Sequence, residues 1–379
     1  MLLEMKPSRL FLATLSLCLS AICLPQDNHA AVREVVNAHI KENAVAGASV
    51  AIMVDGRLRF AEGFGFQDLE NMVPATSHTV YRLASISKVV TTVGLMQLVE
   101  QGKIDLDADA RTYAPSFPAK NHVFTTRNLL THTSGIRHYV TGKADNGTTQ
   151  YSSTESALPL FRDDPLLYEP GTQSSYSTHA FTLVARIIEG ASGESFESYM
   201  VENVFQKAST PLLAFEHREQ TNQYRSKLYQ KGLRNSVRQA RTAQENSWKF
   251  AGGGMESSAI DLVRFAQAVI DGTLLNKGTV DEMWRKQSIG DLNLNRGLGW
   301  AIDGAGNPQH GGSQQGSRTY LTIYREQNTI IAVLTNTSGH DVNALRTKIA
   351  EAWFGALVNS NKWTGSTHRE SPAIGSRGR

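Results

Sequence analysis

The chain has 379 residues, of which 40% are hydrophobic and 19% are charged, and its formal net charge is +3. This is an ordinary globular composition, and the length suits one large domain or two intertwined lobes. The net charge is too small to indicate binding to nucleic acid or to a membrane surface.

The first 25 residues are typical of a signal peptide for export. Lys6 and Arg9 precede an apolar run that is too short and too early for a transmembrane span. We therefore predict cleavage and a periplasmic or secreted protein; an uncleaved segment would hold the chain at a membrane. Cys18 and Cys23 both lie in this segment. The mature chain would then have no cysteine, which excludes disulfides, a thiol nucleophile and a cysteine metal site.

The residues that follow predict a helix and a pair of strands. Apolar residues at helical spacing indicate a helix over residues 29–44, and the apolar run at 46–54 indicates a strand. Asp55-Gly56 is a hairpin signal, after which a second strand is predicted over residues 57–61. We expect Gly63-Phe64-Gly65 to break that strand.

A long middle section reads mainly as helices. We predict helices at residues 85–99, 127–132, 180–188, 196–205 and 257–270, with loops at 141–158 and 251–254. Residues 225–241 carry basic side chains and no acid. They fit a basic rim for an anionic substrate, a solvated helix face or a hairpin, and the sequence leaves these alternatives open.

Three strands and a helix close the fold. The strands are predicted at residues 299–302, 319–324 and 329–334, the helix at 342–354, and a disordered tail at 359–379.

The order of elements predicts an α/β (α+β) fold. Its simplest assembly is an antiparallel sheet of about five strands flanked by helices, built from residues 29–80 and 290–358. Residues 81–289 would form a mostly helical second lobe, within a single domain over residues 29–358. A cleft between the lobes is where we expect the functional site.

An S-x-x-K pattern, Ser85 and Lys88, lies at the start of the most apolar predicted helix. Residues three apart share a helix face, so the Lys88 amine can reach the Ser85 hydroxyl. The helix N-terminus and burial both lower the pKa of a lysine, which makes it a suitable base for a serine nucleophile. Ser87 is the alternative serine, but it is one residue from Lys88 and would point off the shared face.

Two further stretches supply groups that can face the serine across the cleft. They are Tyr176 with Thr178 two residues later, and the run His310, Gly311, Gly312 and Ser313. Glycines at a sheet edge let a substrate backbone approach closely. The backbone N–H groups of Ser85 and Ser313 could then donate to one oxyanion.

These three motifs, in this order, resemble those of the serine β-lactamase-like hydrolases. That group includes class C β-lactamases, low-molecular-weight penicillin-binding proteins and related esterases and D-peptidases. Residues 85–88 match S-x-x-K, residues 176–178 stand in the place of Y-x-N, and residues 310–312 in the place of K-T-G or H-x-G. The similarity runs over residues 47–354. The stretches at 82–88, 133–139 and 246–254 are especially similar to the mitochondrial serine β-lactamase-like branch.

The resemblance implies a β-lactamase/transpeptidase-like fold and catalysis without a metal or organic cofactor. Ser85 would attack a carbonyl and form an acyl-enzyme, which water later releases. Lys88 and Tyr176, hydrogen-bonded to each other, would move the proton to the leaving group. The residues implied in substrate or oxyanion binding are Ser85, Thr178, His310, Gly311, Gly312 and Ser313.

Two residues depart from the family pattern. Thr178 replaces an asparagine, and a hydroxyl is shorter than the amide whose contacts with Lys88 and substrate it must supply. His310 replaces a lysine, so a permanent cation for a substrate carboxylate is lost, because histidine is mostly neutral at pH 7. We therefore expect weak or no β-lactamase turnover.

The predicted function is an exported serine hydrolase acting on amide bonds of peptides, with D-amino-acid cell-wall peptides as candidate substrates. A carboxylesterase with the same machinery is the first alternative. A non-catalytic protein that binds cell-wall peptide or a partner protein is the second, and a nucleophile with its base argues against it. His132, His138 and His179 lack the spacing of a metal site, so no metal site is predicted. The sequence does not predict the oligomeric state.

Overall fold

The computed structural model describes residues 28–139, 147–240 and 244–355. The predicted signal peptide at residues 1–25 and the predicted tail at 359–379 lie outside the described residues. No helix within the described ranges is long and apolar enough to span a lipid bilayer.

The strands fall into two groups along the chain, with short strands between them. In chain order they are β1 Gly47–Val54, β2 Arg57–Asp68, β3 Val73–Pro74, β4 Tyr81–Arg82, β5 Ala214–Phe215, β6 Tyr229–Lys231, β7 Val237–Gln239, β8 Met255–Ser257, β9 Ser288–Ile289, β10 Leu292–Asn293, β11 Ala301–Ile302, β12 Pro308–Gln314, β13 Ser317–Tyr324, β14 Thr329–Thr335 and β15 Thr337–Ser338.

The helices occupy both ends of the described chain and most of its middle. They are α1 Asn28–Asn43, α2 Ser87–Glu100, α3 Thr126–Leu130, α4 Thr154–Ala157, α5 His179–Ser192, α6 Phe196–Met200, α7 Phe250–Gly253, α8 Ala259–Ile270, α9 Lys277–Trp284 and α10 Val342–Phe354. A π-helix, Val201–Phe205, continues α6.

The main sheet confirms the predicted antiparallel sheet flanked by helices. Its strand order is β11-β12-β13-β14-β1-β2-β3, and every neighbouring pair is antiparallel. Five long strands, β12, β13, β14, β1 and β2, match the predicted number, and the short β11 and β3 extend the edges. The strands come from both ends of the chain, so the helices between them lie together on one side.

Both faces of β1 are buried, which explains its unbroken apolar sequence. Val50 and Ile52 pack with α1 and α10 on one face, and Ala51 and Met53 pack with the central helices on the other. Among those helices, α2 is buried on nearly all sides. A helix that is apolar all round belongs in the middle of a protein, and α2 lies there with the Ser85 turn at its start.

The predicted break in the second strand is wrong. Strand β2 continues through Gly63 and Gly65 to Asp68. A Cβ atom on Gly63 would lie 2.3 Å from the Ala75 carbonyl oxygen, and one on Gly65 would lie 2.4 Å from that of Ala46. The glycines therefore allow close contact between chain segments rather than ending the strand.

The prediction missed strand β12 altogether, because it placed the run at 310–313 in a connection before a strand at Thr319. The structure puts this run inside β12, paired with β13. Its glycines have low strand propensity, so only the tertiary pairing reveals the strand. The predicted strand at 299–302 is shortened to Ala301–Ile302, because Gly299 has a φ of +73° and turns the chain.

Several predictions in the helical section also need correction. The predicted loop at 251–254 is mostly the short helix α7. Ser257 ends β8, and α8 begins at Ala259, where the Ser258 side chain accepts from the backbone N–H of Asp261. The predicted loop at 141–158 contains α4, while its residues 141–146 lie outside the described ranges.

Residues 229–239, within the basic stretch, form a hairpin, which is one of the alternatives left open by the sequence and excludes the helix face. Strand β6 pairs antiparallel with β7 and parallel with β15. The turn between β6 and β7 includes Arg234 and Asn235, both with positive φ. The basic side chains therefore do not share a helix face.

Candidate active site

Ser85 lies in a single 3₁₀ turn, Ala84–Ile86, that runs directly into α2. Ser85 is partly exposed, whereas Ala84 and Ile86 are buried. Ala84 has a φ of +50°, an uncommon backbone conformation for a residue with a Cβ atom. Strained residues of this kind cluster at functional sites, and here the strained residue directly precedes the partly exposed serine.

Lys88 is fully buried, and its amine has three polar neighbours. The Nζ atom donates to the carbonyl oxygen of Gly252 at 2.5 Å, and lies 3.2 Å from Thr178 Oγ1 and 3.4 Å from Ser85 Oγ. Burial, together with the positive charge of Lys249, holds the pKa of Lys88 well below its usual range. A neutral amine that donates to Gly252 and Thr178 keeps its lone pair for the Ser85 hydroxyl.

Tyr176 contacts the same serine from the other side. The Ser85 hydroxyl interacts with the Tyr176 phenol and favours its ionised form. Burial raises the pKa of the Tyr176 phenol, while Ser85 and the positive charge of Arg296 oppose that rise. The phenol is therefore protonated at neutral pH and can donate a proton.

The expected hydrogen bond between Lys88 and Tyr176 is absent from the described structure. Lys88 Nζ instead stands 4.8 Å from the centre of the Tyr176 ring, over its face. The three hydrogen-bonding positions of the amine are already used by Ser85, Thr178 and Gly252. The two side chains thus meet through the Ser85 hydroxyl rather than directly.

Thr178 reaches Lys88 despite its shorter side chain. It lies just before α5 and is 3% exposed. Because α5 packs on α7, the methyl group of Thr178 lies close to Gly252. A Cβ atom added to Gly252 would lie 2.8 Å from that methyl group. The hydroxyl therefore preserves the contact with the lysine that the sequence put in question.

Two histidines that received no role from the sequence hold the Tyr176 segment in place. His132 Nδ1 accepts from the backbone N–H of Ser177 at 3.3 Å, and His138 Nδ1 accepts from that of Thr178 at 3.1 Å. The His132 ring centre is 4.5 Å from that of Tyr176. Burial holds the pKa of His132 well below its usual range, so the ring is neutral and able to accept.

Strand β12 lies against the turn that carries Ser85. A Cβ atom on Gly312 would be 2.3 Å from the carbonyl oxygen of Leu83, to which Thr319 Oγ1 donates at 2.9 Å. Only a glycine fits this contact, which brings β12 to the nucleophile. The next residue, Ser313, pairs with Arg318 of β13.

Strand β11 covers only the first part of the outer edge of β12. Within the described chain, β11 pairs with Pro308 and Gln309 only, and β12 continues for five more residues. His310 follows the paired residues, and its Nδ1 lies 2.7 Å from the carbonyl oxygen of Gly311. An extended substrate backbone can pair with such an edge.

The alternative serine is not available. Ser87 is fully buried, and its Oγ accepts from the backbone N–H of Met255 at 3.1 Å. Ser85 and Ser87 thus have separate roles, one facing the cleft and one joining α2 to β8.

Comparison with known proteins places these features in a family. Residues 32–353, most of the chain, match the family described as Beta-lactamase. The chain belongs to the beta-lactamase family. Its members are generally serine hydrolases, and the predicted family and fold are both confirmed.

One curated relative of this beta-lactamase family chain is the human serine beta-lactamase-like protein LACTB, mitochondrial. It is 31% identical over 312 residues, which cover 63% of this chain and 56% of the relative. The chain thus spans a little over half the length of the mitochondrial relatives that it matches.

Two solved structures are similar in fold. EstCE1, described as a hydrolase with promiscuous acyltransferase activity, has a TM-score of 0.75 at 22% identity and covers 86% of this chain and 98% of its own. The D-amino acid amidase of Ochrobactrum anthropi, complexed with L-phenylalanine amide, has a TM-score of 0.76 at 21% identity, with the same coverage. At these identities the likeness shows the fold alone.

Two basic side chains near the site, Arg296 and Lys249, were not predicted from the sequence. Arg296 acts as a positive charge on Tyr176 and His132, and the structure gives it no carboxylate partner among the described residues. Lys249 is buried and stands over the rings of Tyr139 and Trp248. Both come from segments distant from the three motifs, so no spacing pattern could have indicated them.

Proposed function

We propose that this chain is an exported serine hydrolase that cleaves amide bonds of peptides through an acyl-enzyme on Ser85. D-amino-acid cell-wall peptides are the candidate substrates. The observation that carries the proposal is the buried amine of Lys88 beside the partly exposed Ser85 hydroxyl. A binding protein has no use for a lysine held in its neutral form next to a serine.

The reaction follows from the states of the two neighbours of the serine. Neutral Lys88 takes the Ser85 proton as Oγ attacks the substrate carbonyl carbon. The oxygen of that carbonyl becomes an oxyanion, to which the backbone N–H groups of Ser85 and Ser313 donate. The protonated phenol of Tyr176 gives its proton to the leaving nitrogen as the C–N bond breaks.

Deacylation reverses these roles. A water molecule gives a proton to the Tyr176 phenolate as its oxygen attacks the acyl carbon. As the bond from that carbon to Ser85 Oγ breaks, the proton held by Lys88 passes to Oγ, which restores the Ser85 hydroxyl, the neutral Lys88 amine and the protonated Tyr176 phenol. The steps balance without a cofactor.

The substrate part of the proposal is supported by the outer edge of β12 and by the neighbours in fold. A peptide can lie along this edge as an added strand, which places its carbonyl over the turn at Ser85. The name of the amidase among the similar structures indicates that it acts on amides of amino acids. We propose an amide substrate for the present chain as well.

A carboxylesterase with the same residues is the second candidate. An ester leaves as an alkoxide or alcohol and needs less proton donation than an amine, so the same site can cleave it. The similarity in fold to EstCE1, which is described as a hydrolase, favours keeping this candidate.

Export is proposed on the basis of the N-terminal segment. Basic residues followed by a short apolar run have the form of a signal peptide. Mass measurement of the N-terminus of protein recovered outside the cytoplasm tests it, and an intact Met1 on soluble cytoplasmic protein would contradict it.

The function is tested by intact-protein mass after exposure to a fluorophosphonate and, separately, to benzylpenicillin. We expect a fluorophosphonate adduct in the wild type and in Ser87→Ala, and none in Ser85→Ala. A lasting penicilloyl adduct favours a D-peptidase, and a fluorophosphonate adduct alone favours an esterase or another peptidase. An unmodified wild type with both reagents contradicts a serine hydrolase and supports the binding protein.

A further inference from the structure

A second buried lysine lies beside the candidate base. Lys249, which is 5% exposed, ends a 3₁₀ turn, Ser247–Lys249, that leads into α7. A Cβ atom on Gly253 would be 3.6 Å from Lys249 Cδ and 3.8 Å from the carbonyl carbon of Ala84. The Lys249 side chain therefore runs past the peptide next to Gly252, whose oxygen binds Lys88, and beside the turn of Ser85.

Among the residues that the structure describes, no acid forms an ion pair with Lys249. Its Nζ stands 5.3 Å from the ring centre of Trp248 and 5.8 Å from that of Tyr139, and it has no hydrogen-bond acceptor among the described residues. Glu216 is the nearby acid, but its carboxylate is already occupied by Arg82 at 2.5 Å and by Asn246 at 2.5 Å.

A lysine in this setting is costly to keep. Burying an ammonium group without a paired acid is unfavourable, and two aromatic faces offset only part of that cost. Arg82 and Lys249 together outweigh the single charge of Glu216, so this pocket is electropositive. Lys88 is the other buried amine beside α7, so the positive charge of Lys249 acts on it most directly.

We propose that Lys249 is a positioning residue whose positive charge keeps Lys88 in the neutral form that accepts the Ser85 proton. The inference rests on the proposed function, because it assumes that Lys88 is the base. It assigns Lys249 a role in setting the lowest pH at which the site works.

The charges around the two amines agree with this role. The positive charge of Lys249 lowers the Lys88 pKa in addition to the effect of burial. Burial and Arg82 lower the pKa of Lys249 itself to about 8, with Glu216 opposing. Lys249 is therefore mostly charged below about pH 8.

The other titratable groups that face Lys88 are Tyr176, over whose ring the amine stands, and His132. The pKa values of both leave them uncharged at neutral pH, since burial raises that of Tyr176 and lowers that of His132. Tyr139 is a further titratable group, and it faces Lys249. None of these groups supplies a positive charge that could replace Lys249.

Arg296 offers a matched control in the same cleft. It is also a cation without a carboxylate partner among the described residues, but it acts on Tyr176 and His132 rather than on Lys88. Arg296→Met removes an equal charge and should leave the ionisation of Lys88 where it is.

The test is the rate of fluorophosphonate labelling of Ser85 between pH 5 and 9. Labelling needs the activated serine but no knowledge of the substrate, and its acid limb reports the ionisation of the base. In Lys249→Met we expect this limb to move up by about one pH unit, with labelling about tenfold slower on the acid side of the wild-type limb and equal to the wild type at the alkaline end. Lys249→Arg and Arg296→Met should keep the limb of the wild type.

An equal slowing of Lys249→Met at every pH would overturn the proposal, because it would indicate a structural role. An unchanged profile in Lys249→Met would overturn it as well. Wild-type protein that is not labelled at any pH would instead reject the proposed function itself, so the two failures are distinguishable.

A second measurement needs no substitution, in case Lys249→Met does not fold. Carbon-13 NMR of the lysine ε-carbons follows each ionisation in the wild-type protein. We expect two lysines to titrate well below the others, with curves that depend on each other. If all lysines titrate together near pH 10.5, the proposal is wrong.

Discussion

The Nζ atom of Lys88 donates a 2.5 Å hydrogen bond to the carbonyl oxygen of Gly252, in helix α7. This bond ties the base at the start of α2 to a segment more than 160 residues later in the chain. It fixes one N–H of the amine away from Ser85, so the lone pair is left facing the hydroxyl.

Lys88→Met should abolish most activity and stabilise the protein at neutral pH. Loss of a general base lowers kcat/KM by roughly 10²–10⁴-fold. The pKa of Lys88 is lowered on folding, so the unfolded chain binds a proton that the native chain does not. The lowered pKa therefore reduces the free energy of unfolding of the wild type, and this reduction becomes smaller as pH rises towards the ordinary lysine pKa. Methionine removes the reduction.

Thermal unfolding at pH 6 and pH 9 measures this effect. The advantage in Tm of Lys88→Met should be larger at pH 6 than at pH 9. An advantage that is the same at both pH values would show that folding does not lower the pKa of Lys88.

Tyr176→Phe should affect amides more than esters. The phenol is protonated at neutral pH. It lies beside Ser85, where it can donate its proton to the leaving group. An amine leaving group needs that proton, so kcat for an amide should fall by about 10²-fold, and for an ester of the same acyl group by less. Parallel losses on both substrates would show that Tyr176 acts on a step other than departure of the leaving group.

Thr178→Val should impair the site, and Thr178→Ser should not. Valine has nearly the shape of threonine but removes the oxygen that lies 3.2 Å from Lys88 Nζ. The buried amine then loses one partner, at a cost of about 1–3 kcal/mol, and we expect activity to fall by about tenfold. Steady-state kinetics of the two variants at one pH measure the contribution of the hydroxyl, and equal activity would show that the bond has no role.

The sheet side of the protein should be sensitive to acid through a pair of buried histidines. His39 Nε2 lies 3.0 Å from His340 Nδ1, and His340 Nε2 lies 2.9 Å from Thr335 Oγ1. Burial lowers the pKa of His340 to about 3, while an unfolded histidine titrates near 6.5. Between these values the unfolded chain binds the proton and the native chain does not, so stability falls as pH falls below about 6.5.

Chemical denaturation at pH 7 and pH 5 tests this prediction. Between pH 7 and pH 5 the free energy of unfolding should fall by about 2 kcal/mol less in His340→Gln than in the wild type. His122→Gln, which changes an exposed histidine, is the control and should lose as much as the wild type. The same loss in His340→Gln would show that His340 does not carry the acid sensitivity.

The sequence was sufficient for the parts of the site that depend on local spacing. Ser85 and Lys88 are three residues apart, and the structure brings their side chains within hydrogen-bonding distance. The apolar run of β1 and the helix Val342–Phe354 were likewise visible, because the first is an unbroken apolar segment and the second follows the helical period.

The features that the sequence missed depend on contacts between distant segments. Gly312 lies in a strand that passes so close to Leu83 that an added Cβ atom would be 2.3 Å from its carbonyl oxygen, although its residue type argues against a strand. Lys249 and Arg296 are ordinary basic residues in the sequence. Only the burial of Lys249, and the lack of an acid partner for either among the described residues, distinguish them. His132 supports the tyrosine through a backbone contact that no motif encodes.

The central claim is an acyl-enzyme on Ser85, and acid-quenched mass spectrometry during turnover tests it most directly. The protein is mixed with excess p-nitrophenyl acetate, quenched within the first turnovers, digested and mapped. We predict one acetyl group on the peptide that contains Ser85, in the wild type and in Ser87→Ala but not in Ser85→Ala. Release of nitrophenol without any acyl group on Ser85, or with the group on another residue, would contradict the account.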